Sequence, residues 1–301
     1  MGLRQEARLS LIPRNAAHPR DTVDIVPPTS PLSVRALLAD HDVHPSRALG
    51  QNFLDDPNTA RRIVRLAELD PGTNVLEIGP GLGALTGALA DAGAHVHALE
   101  LDRHLVSVLE QTVAGRDDVD VVAGDALTFD LGTLRGDGWA CVSNLPYNIA
   151  TPVVVRLLEA APQVSRLLVM VQREVGERLA ATPGDDAYGA VSVKVAYYAA
   201  ARVVGVVPPT VFLPQPKVES VLVRLDRHPA PPVQVPETET LFRLVRAGFA
   251  HRRKMLRGAL RPVLGDRTEA TLVAAGIAPT ERAESLGLDA WATLARETVA
   301  A

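Results

Sequence analysis

Asn144, Leu145, Pro146 and Tyr147 place an amide, a proline and an aromatic ring directly after a short apolar run, Trp139-Ala140-Cys141-Val142-Ser143. The run reads as a buried strand, and strand ends are where open α/β sheets put their chemistry. An Asn carbonyl accepts a hydrogen bond from an amine, and a Tyr ring stacks on another flat ring. The combination suits a reaction on the exocyclic amine of a nucleobase.

Three further runs end in polar or flexible groups. Glu77-Ile78-Gly79-Pro80-Gly81-Leu82-Gly83 closes the first with glycines, which let the backbone turn tightly and admit a ligand against it. NAD, FAD and S-adenosylmethionine sites all use such loops. The spacing here is G-x-G-x-G, not the dinucleotide G-x-G-x-x-G, which leans away from NAD. Glu100 ends the second run, twenty-one residues after Gly79, where a carboxylate can accept both ribose hydroxyls. A helix-start acid is the plain alternative, but Asp102 already fills that position. Asp125 follows Gly124 at the third run and suits an adenine amine, or equally a turn that needs a capping acid.

These residues need a scaffold that brings strand ends together. Asn74–Ile78, His95–Leu101, Val119–Ala123, Trp139–Ser143, Ser165–Val171, Val203–Val207 and Ser220–Leu225 read as strands. Helical patterns cover Ala84–Ala92, Asp102–Ala114 with Gly115 as its stop, Thr151–Ala160 with Pro152 at its first position, Glu174–Ala181 and Ala190–Ala200. Such alternation implies an α/β fold with a seven-stranded, mainly parallel, doubly wound sheet. No helix separates the last two strands, so they should pair antiparallel at one edge. Ahead of the sheet, Asp56-Pro57 has the form of an N-cap and first-turn proline for a helix to about Leu69, and Ser33 could cap a shorter one. Gly50-Gln51-Asn52-Phe53-Leu54 lies between them as a polar-aromatic loop. Residues 1–31 read as a flexible extension, 32–227 as the α/β domain and 228–239 as a proline-rich linker. Thr240–Leu260, Asp266–Ala275 and Asp289–Val299 then give a small all-α domain over 240–301.

At 301 residues the chain has room for both parts. No apolar run reaches the length of a membrane helix, and the start has no secretory core. The lone Cys141 excludes a disulfide framework and reads as a buried inert thiol. A cytoplasmic protein follows from these features. The net charge of −4 is no polyanion signature, yet Arg202–Arg261 carries eleven Lys/Arg against four Asp/Glu. Arg243, Arg246, Arg252, Arg253, Lys254 and Arg257 flank an apolar stripe of Leu241, Val245, Phe249, Leu256 and Leu260. A solvated helix face is the ordinary reading of such charges. Phosphate contact, with salt-sensitive binding, is the functional one.

From about Leu32 onward the chain resembles the KsgA-type ribosomal RNA adenine dimethyltransferases. The matching segments include Leu49–Leu54, Glu77–Thr86, Leu99–Asp102, Gly124–Ala126, Asn144–Ile149, Val171–Val175, Tyr188-Gly189, Val211–Ser220, Arg252–Leu256 and Arg282–Leu286. The resemblance implies a Rossmann-like class I methyltransferase sheet with a helical RNA-binding C-terminal domain. It implies S-adenosylmethionine held by Asn52, Leu54, Gly79, Glu100, Asp125 and Asn144, with S-adenosylhomocysteine as product and no metal. The implied target is two adjacent adenines in the 3′-terminal hairpin loop of 16S rRNA, within a pre-assembled small subunit, each dimethylated at N6 by a monomeric enzyme. Ala150 departs from the usual Ser, and Asp185 and Asp186 stand where basic residues are common.

Within that frame Asn144 and the Leu145 or Pro146 carbonyl would accept the amine protons, and Tyr147 and Phe212 would sandwich the base. A core aromatic between prolines is the plain alternative for Phe212 taken alone. Rival readings are an Erm-type dimethyltransferase of 23S rRNA, a DNA adenine methyltransferase, an assembly factor with secondary catalysis, and a nicotinamide dehydrogenase. Leu145, where DNA enzymes usually carry a second proline, and the 212–220 and 252–256 segments favour the KsgA type.

Overall fold

A computed structural model describes residues 34–46, 49–251 and 253–300. The expected extension over 1–31, the Ser33 cap and Arg252 lie outside the described residues. Helix α1 (Val34–Asp40) and the two-residue strand β1 (Phe53–Leu54) precede α2 (Pro57–Ala67). Then come β2 (Asn74–Ile78), α3 (Ala84–Asp91), β3 (His95–Glu100), α4 (Arg103–Thr112), β4 (Val119–Ala123) and β5 (Trp139–Asn144). They are followed by α5 (Ala150–Ala160), β6 (Val164–Gln172), α6 (Arg173–Ala180), α7 (Ala190–Tyr198), β7 (Ala199–Val207), β8 (Phe212–Leu213) and β9 (Ser220–Arg227). The C-terminal part is helical: α8 (Thr238–Phe249), α9 (Leu256–Ala259), α10 (Arg261–Leu264), α11 (Thr268–Ala274) and α12 (Leu288–Ala300).

Seven strands form one sheet in the order β4-β3-β2-β5-β6-β9-β7. The pairings among β2 to β6 are parallel, while β9 runs antiparallel to both β6 and β7. The last two long strands therefore pair antiparallel at an edge, as expected, with β9 inserted and β7 outermost. Both faces are covered. Leu167, Val169 and Val171 pack against α5 and α7 on one side, and Leu168 and Met170 pack with α2 and α3 on the other. Burial on both faces is why the strands read as near-continuous apolar runs.

Local signals set most helix ends. Asp56 caps α2 by accepting from the Asn58 and Thr59 N–H groups, with Pro57 at the first position. Pro152 is the third residue of α5, not the first; N–H groups of a first turn lack helical partners, so a proline there breaks no bond. The expected helix 240–260 is interrupted: α8 stops at Phe249 and α9 begins at Leu256. The α9 start is fixed from afar, by the Leu256 N–H donating to the Glu281 carbonyl and the Arg257 N–H to the Pro279 carbonyl. These helices bury Leu241, Leu244, Leu260 and Trp291 in a core that Tyr188, Val193 and Tyr197 also join.

A charge network ties the sheet to α2 near the start of β6. Buried Arg224 donates to Asp226 and, at 2.6 Å, to Glu68. Arg166 donates to Asp226 and to the Ala67 and Glu68 carbonyls that end α2. Burial alone would raise the Asp226 pKa, but Arg224 and Arg166 outweigh it and hold the carboxyl below its ordinary 3.8. A depressed carboxyl stabilises the fold above its unfolded pKa, and that stability is lost as pH falls through the folded value. Asp226→Asn is expected to lower the thermal midpoint near neutral pH and to reduce its further fall below about pH 5. An acid-induced loss equal to wild type, followed by circular dichroism, would remove Asp226 from this role.

Candidate active site

A cleft opens at the point where the sheet reverses its winding, between β2 and β5. These strands pair through Val75–Ala140 and Leu76–Cys141 and then part. Past that point the Ile78 N–H donates to the Ser143 hydroxyl at 2.9 Å, so a side chain replaces the missing ladder partner. The cleft is partly open to solvent and is lined by residues 50–54, the glycine-rich turn after β2, Glu100, Leu105 and Asn144–Tyr147.

The glycines allow the walls to close on each other. Gly79 has φ +67° and a Cβ there would lie 3.1 Å from the Pro146 ring. Gly81 has φ +59° and a Cβ would lie 2.9 Å from the Phe53 ring. The positive φ favours glycine at both positions, and at Gly81 a Cβ would also force the Phe53 ring to shift. Glu100 is buried at the end of β3, where Oε2 accepts from the Gly81 N–H at 3.1 Å and Oε1 from the Asp102 N–H at 3.0 Å. Burial raises its pKa, opposed by those two N–H groups.

Glu77, which sequence reasoning did not single out, is also in the wall. It is 1% exposed, and burial, reinforced by Glu100, pushes its carboxyl up to about 8, against the opposing Thr86 hydroxyl. Neither its Oε2 nor the Thr86 Oγ1 completes a hydrogen bond. The available signal was an acid one residue from the end of an otherwise apolar strand. Cys141, by contrast, is a buried thiol that burial pushes up to about 12, as its apolar setting implied.

Asn144 closes β5, and its Nδ2 donates to the Asn52 carbonyl at 3.0 Å, which leaves Oδ1 as the acceptor end of the amide, uncommitted among the described residues. Leu145 is buried, with its N–H on the Met170 carbonyl, and the Pro146 carbonyl accepts from Ile149 within the turn. Tyr147 is partly exposed and hydrogen-bonded through its phenol to Ser220 at 2.7 Å. Leu54 lines the cleft beside Asn52 and pairs with Phe212 across the short β1–β8 ladder.

The other expected site residues lie outside the cleft lining. Phe212 is 4% exposed and packs among Leu54, Val207 and Leu222. Asp125 lies beyond the cleft lining, and its Oδ1 accepts from the Leu127 N–H at 2.8 Å, which is turn capping. Arg243 and Arg246 are exposed on α8, Arg253 and Lys254 are exposed in the turn before α9, and Arg257 is exposed on α9.

The model of the family described as ribosomal RNA adenine dimethylase matches residues 44–299. The chain belongs to that family. As a dimethylase it is similar to the ribosomal RNA small subunit methyltransferase A of Thermobifida fusca, 47% identical over 274 residues, covering 88% of this chain and 94% of the relative. The protein of the same name from Moorella thermoacetica is 44% identical over 273 residues, covering 87% and 95%. Among solved structures, the 23S rRNA methyltransferase ErmE superposes with a TM-score of 0.64 at 29% identity, over 82% of the dimethylase and all of that chain. A dimethyladenosine transferase from Plasmodium falciparum shares the fold, with a TM-score of 0.67 at 23% identity over 80% and 95%. No helix among the dimethylase's described residues is long and apolar enough to cross a membrane.

Proposed function

We propose that this chain transfers methyl groups from S-adenosylmethionine to N6 of two adjacent adenines in the 3′-terminal hairpin loop of 16S rRNA. The observation that carries the reading is the Asn144 amide, held by the Asn52 carbonyl at the crevice of the sheet so that Oδ1 remains to accept from an amine. The residues of the cleft fit the methyl donor: buried Glu100 suits ribose hydroxyls, and the orphaned Glu77 Oε2, in the same lining as Gly79 and Gly81, is left for a polar group of the donor. Asn52, Leu54, Gly79, Glu100 and Asn144 would hold it; Asp125, outside the lining, would meet only its adenine end. Bound there, S-adenosylmethionine supplies a methyl group made electrophilic by its sulfonium.

An adenine amine is a weak nucleophile because its lone pair is delocalised into the ring. Asn144 Oδ1 and the Leu145 carbonyl accept its protons, favour a pyramidal nitrogen and aim the lone pair at the methyl carbon. The Pro146 carbonyl, engaged by Ile149, is the weaker candidate of the two. Tyr147 supplies a stacking face; Phe212 supplies a second only once its ring leaves the core it occupies here. The surplus proton passes to water. Arg243, Arg246, Arg252, Arg253, Lys254 and Arg257 contact phosphates, so residues 240–301 act as the RNA-binding part beside the catalytic 32–227. The protein works as a cytoplasmic monomer on a pre-assembled small subunit.

The curated relatives at 44% and 47% identity, named for the small subunit, support this target over the 23S rRNA of the ErmE likeness at 29%. Mass spectrometry of rRNA from cells lacking the protein tests it. Two dimethyladenines should vanish from small-subunit rRNA and return on complementation. An unchanged small-subunit spectrum, or a loss from large-subunit rRNA, would overturn the assignment.

A further inference from the structure

Because β9 runs against its neighbours, its first residue reaches the sheet edge at which the parallel strands deliver their functional groups. Ser220 pairs with Gln172, the last residue of β6, and with Val207, the last of β7. Its side chain is fully buried, and its hydroxyl lies 2.7 Å from the Tyr147 phenol oxygen, in a bond where either group can donate. Tyr147 lines the cleft three residues after Asn144. A Tyr ring turns about two torsions, and a bond at its far end to a buried strand residue restricts both. Burial raises the phenol pKa, so the hydroxyl stays protonated and the bond persists at neutral pH.

Resting on the reading that Tyr147 flanks the target base, we propose that Ser220 is a positioning residue for methyl transfer. Its hydroxyl fixes the plane of the Tyr147 ring, and the ring in turn registers the adenine amine against Asn144. The second transfer depends on this more than the first. A monomethylated amine keeps one N–H for the carbonyl acceptors, so the stacking face carries more of the alignment. The bond joins segments far apart in the chain, and neither serine nor tyrosine completes the arrangement alone.

Ser220→Ala, Tyr147→Phe and the double variant test this with the full chain and purified small subunits lacking the modification. Each single variant should lower kcat roughly 3- to 10-fold, the effect of one hydrogen bond. Each should also raise the share of monomethyladenine in the product, with the cofactor Kd unchanged and the thermal midpoint lowered by no more than about a few degrees. The double variant should be no slower than the slower single, because both changes remove the same bond. Multiplicative losses in the double variant, or wild-type kcat and product ratio in the singles, would overturn the role of Ser220. Should Ser220→Ala unfold, Tyr147→Phe removes the same bond from its partly exposed end, and wild-type behaviour there is equally decisive. A wild-type chain that methylates no adenine defeats the proposed function itself, a result distinct from each of these.

Discussion

Asn144→Ala is expected to cut methyl transfer about 100- to 1,000-fold, the usual cost of losing one preorganised polar group at the reacting atoms, with cofactor affinity within a few fold. The split follows from where the amide is anchored. Its Nδ2 bonds to the Asn52 carbonyl, so Oδ1 is presented without a reorganisation cost at the moment of reaction. Asn144 is one of the residues that would hold the cofactor, but Glu100, the Gly79–Gly81 backbone and Leu54 all remain in the lining when its side chain is cut back. Losing the Asn52 tie relaxes residues 50–54 on one side, while the Gln51 bond to Asp102 and the β1–β8 pairing keep them in place. Single-turnover assays with unmodified small subunits, beside calorimetry of cofactor binding, separate the effects. Retained turnover in a folded variant would sink the role given to Asn144.

Glu100→Ala should act the other way, weakening the cofactor by about 100-fold or more. Two hydroxyl hydrogen bonds to a carboxylate contribute roughly 1.5–3 kcal/mol each, and every 1.4 kcal/mol is tenfold in Kd. Truncation also strips the Gly81 and Asp102 N–H groups of their acceptor and so loosens the glycine-rich turn itself. Glu100→Gln keeps one carbonyl oxygen and should fall between the two. Calorimetric titration with S-adenosylmethionine reads the series directly. An alanine variant that binds as tightly as wild type would place the ribose elsewhere.

What could be read in the chain beforehand was what local physics records. The strands were visible because burial on both faces makes them continuous apolar runs, and Asp56-Pro57 marked the start of α2 by capping alone. The Gly79, Glu100 and Asn144 positions followed from strand ends in a doubly wound sheet. The features that escaped are long-range. The break between α8 and α9 is held by the Glu281 and Pro279 carbonyls, so the periodicity over 240–260 gives no sign of it. Phe53-Leu54 is a strand by virtue of a partner after β7. Glu77 shows its peculiarity only once the walls around its carboxyl are known. Ser220 becomes visible only when β9 is seen to enter the sheet in reverse between β6 and β7.

The two-residue ladder between β1 and β8, Phe53 on Leu213 and Leu54 on Phe212, also limits how this scaffold can be recombined. The segment around Asn52 and the segment around Phe212 form one unit, although most of the sheet separates them along the chain. A chimera that took residues 49–54 from one relative and 211–220 from another would have to re-form that ladder and fit a foreign ring beneath Gly81. Exchanging substrate preference between such enzymes therefore calls for moving both segments together, with the glycine-rich turn that sits on them.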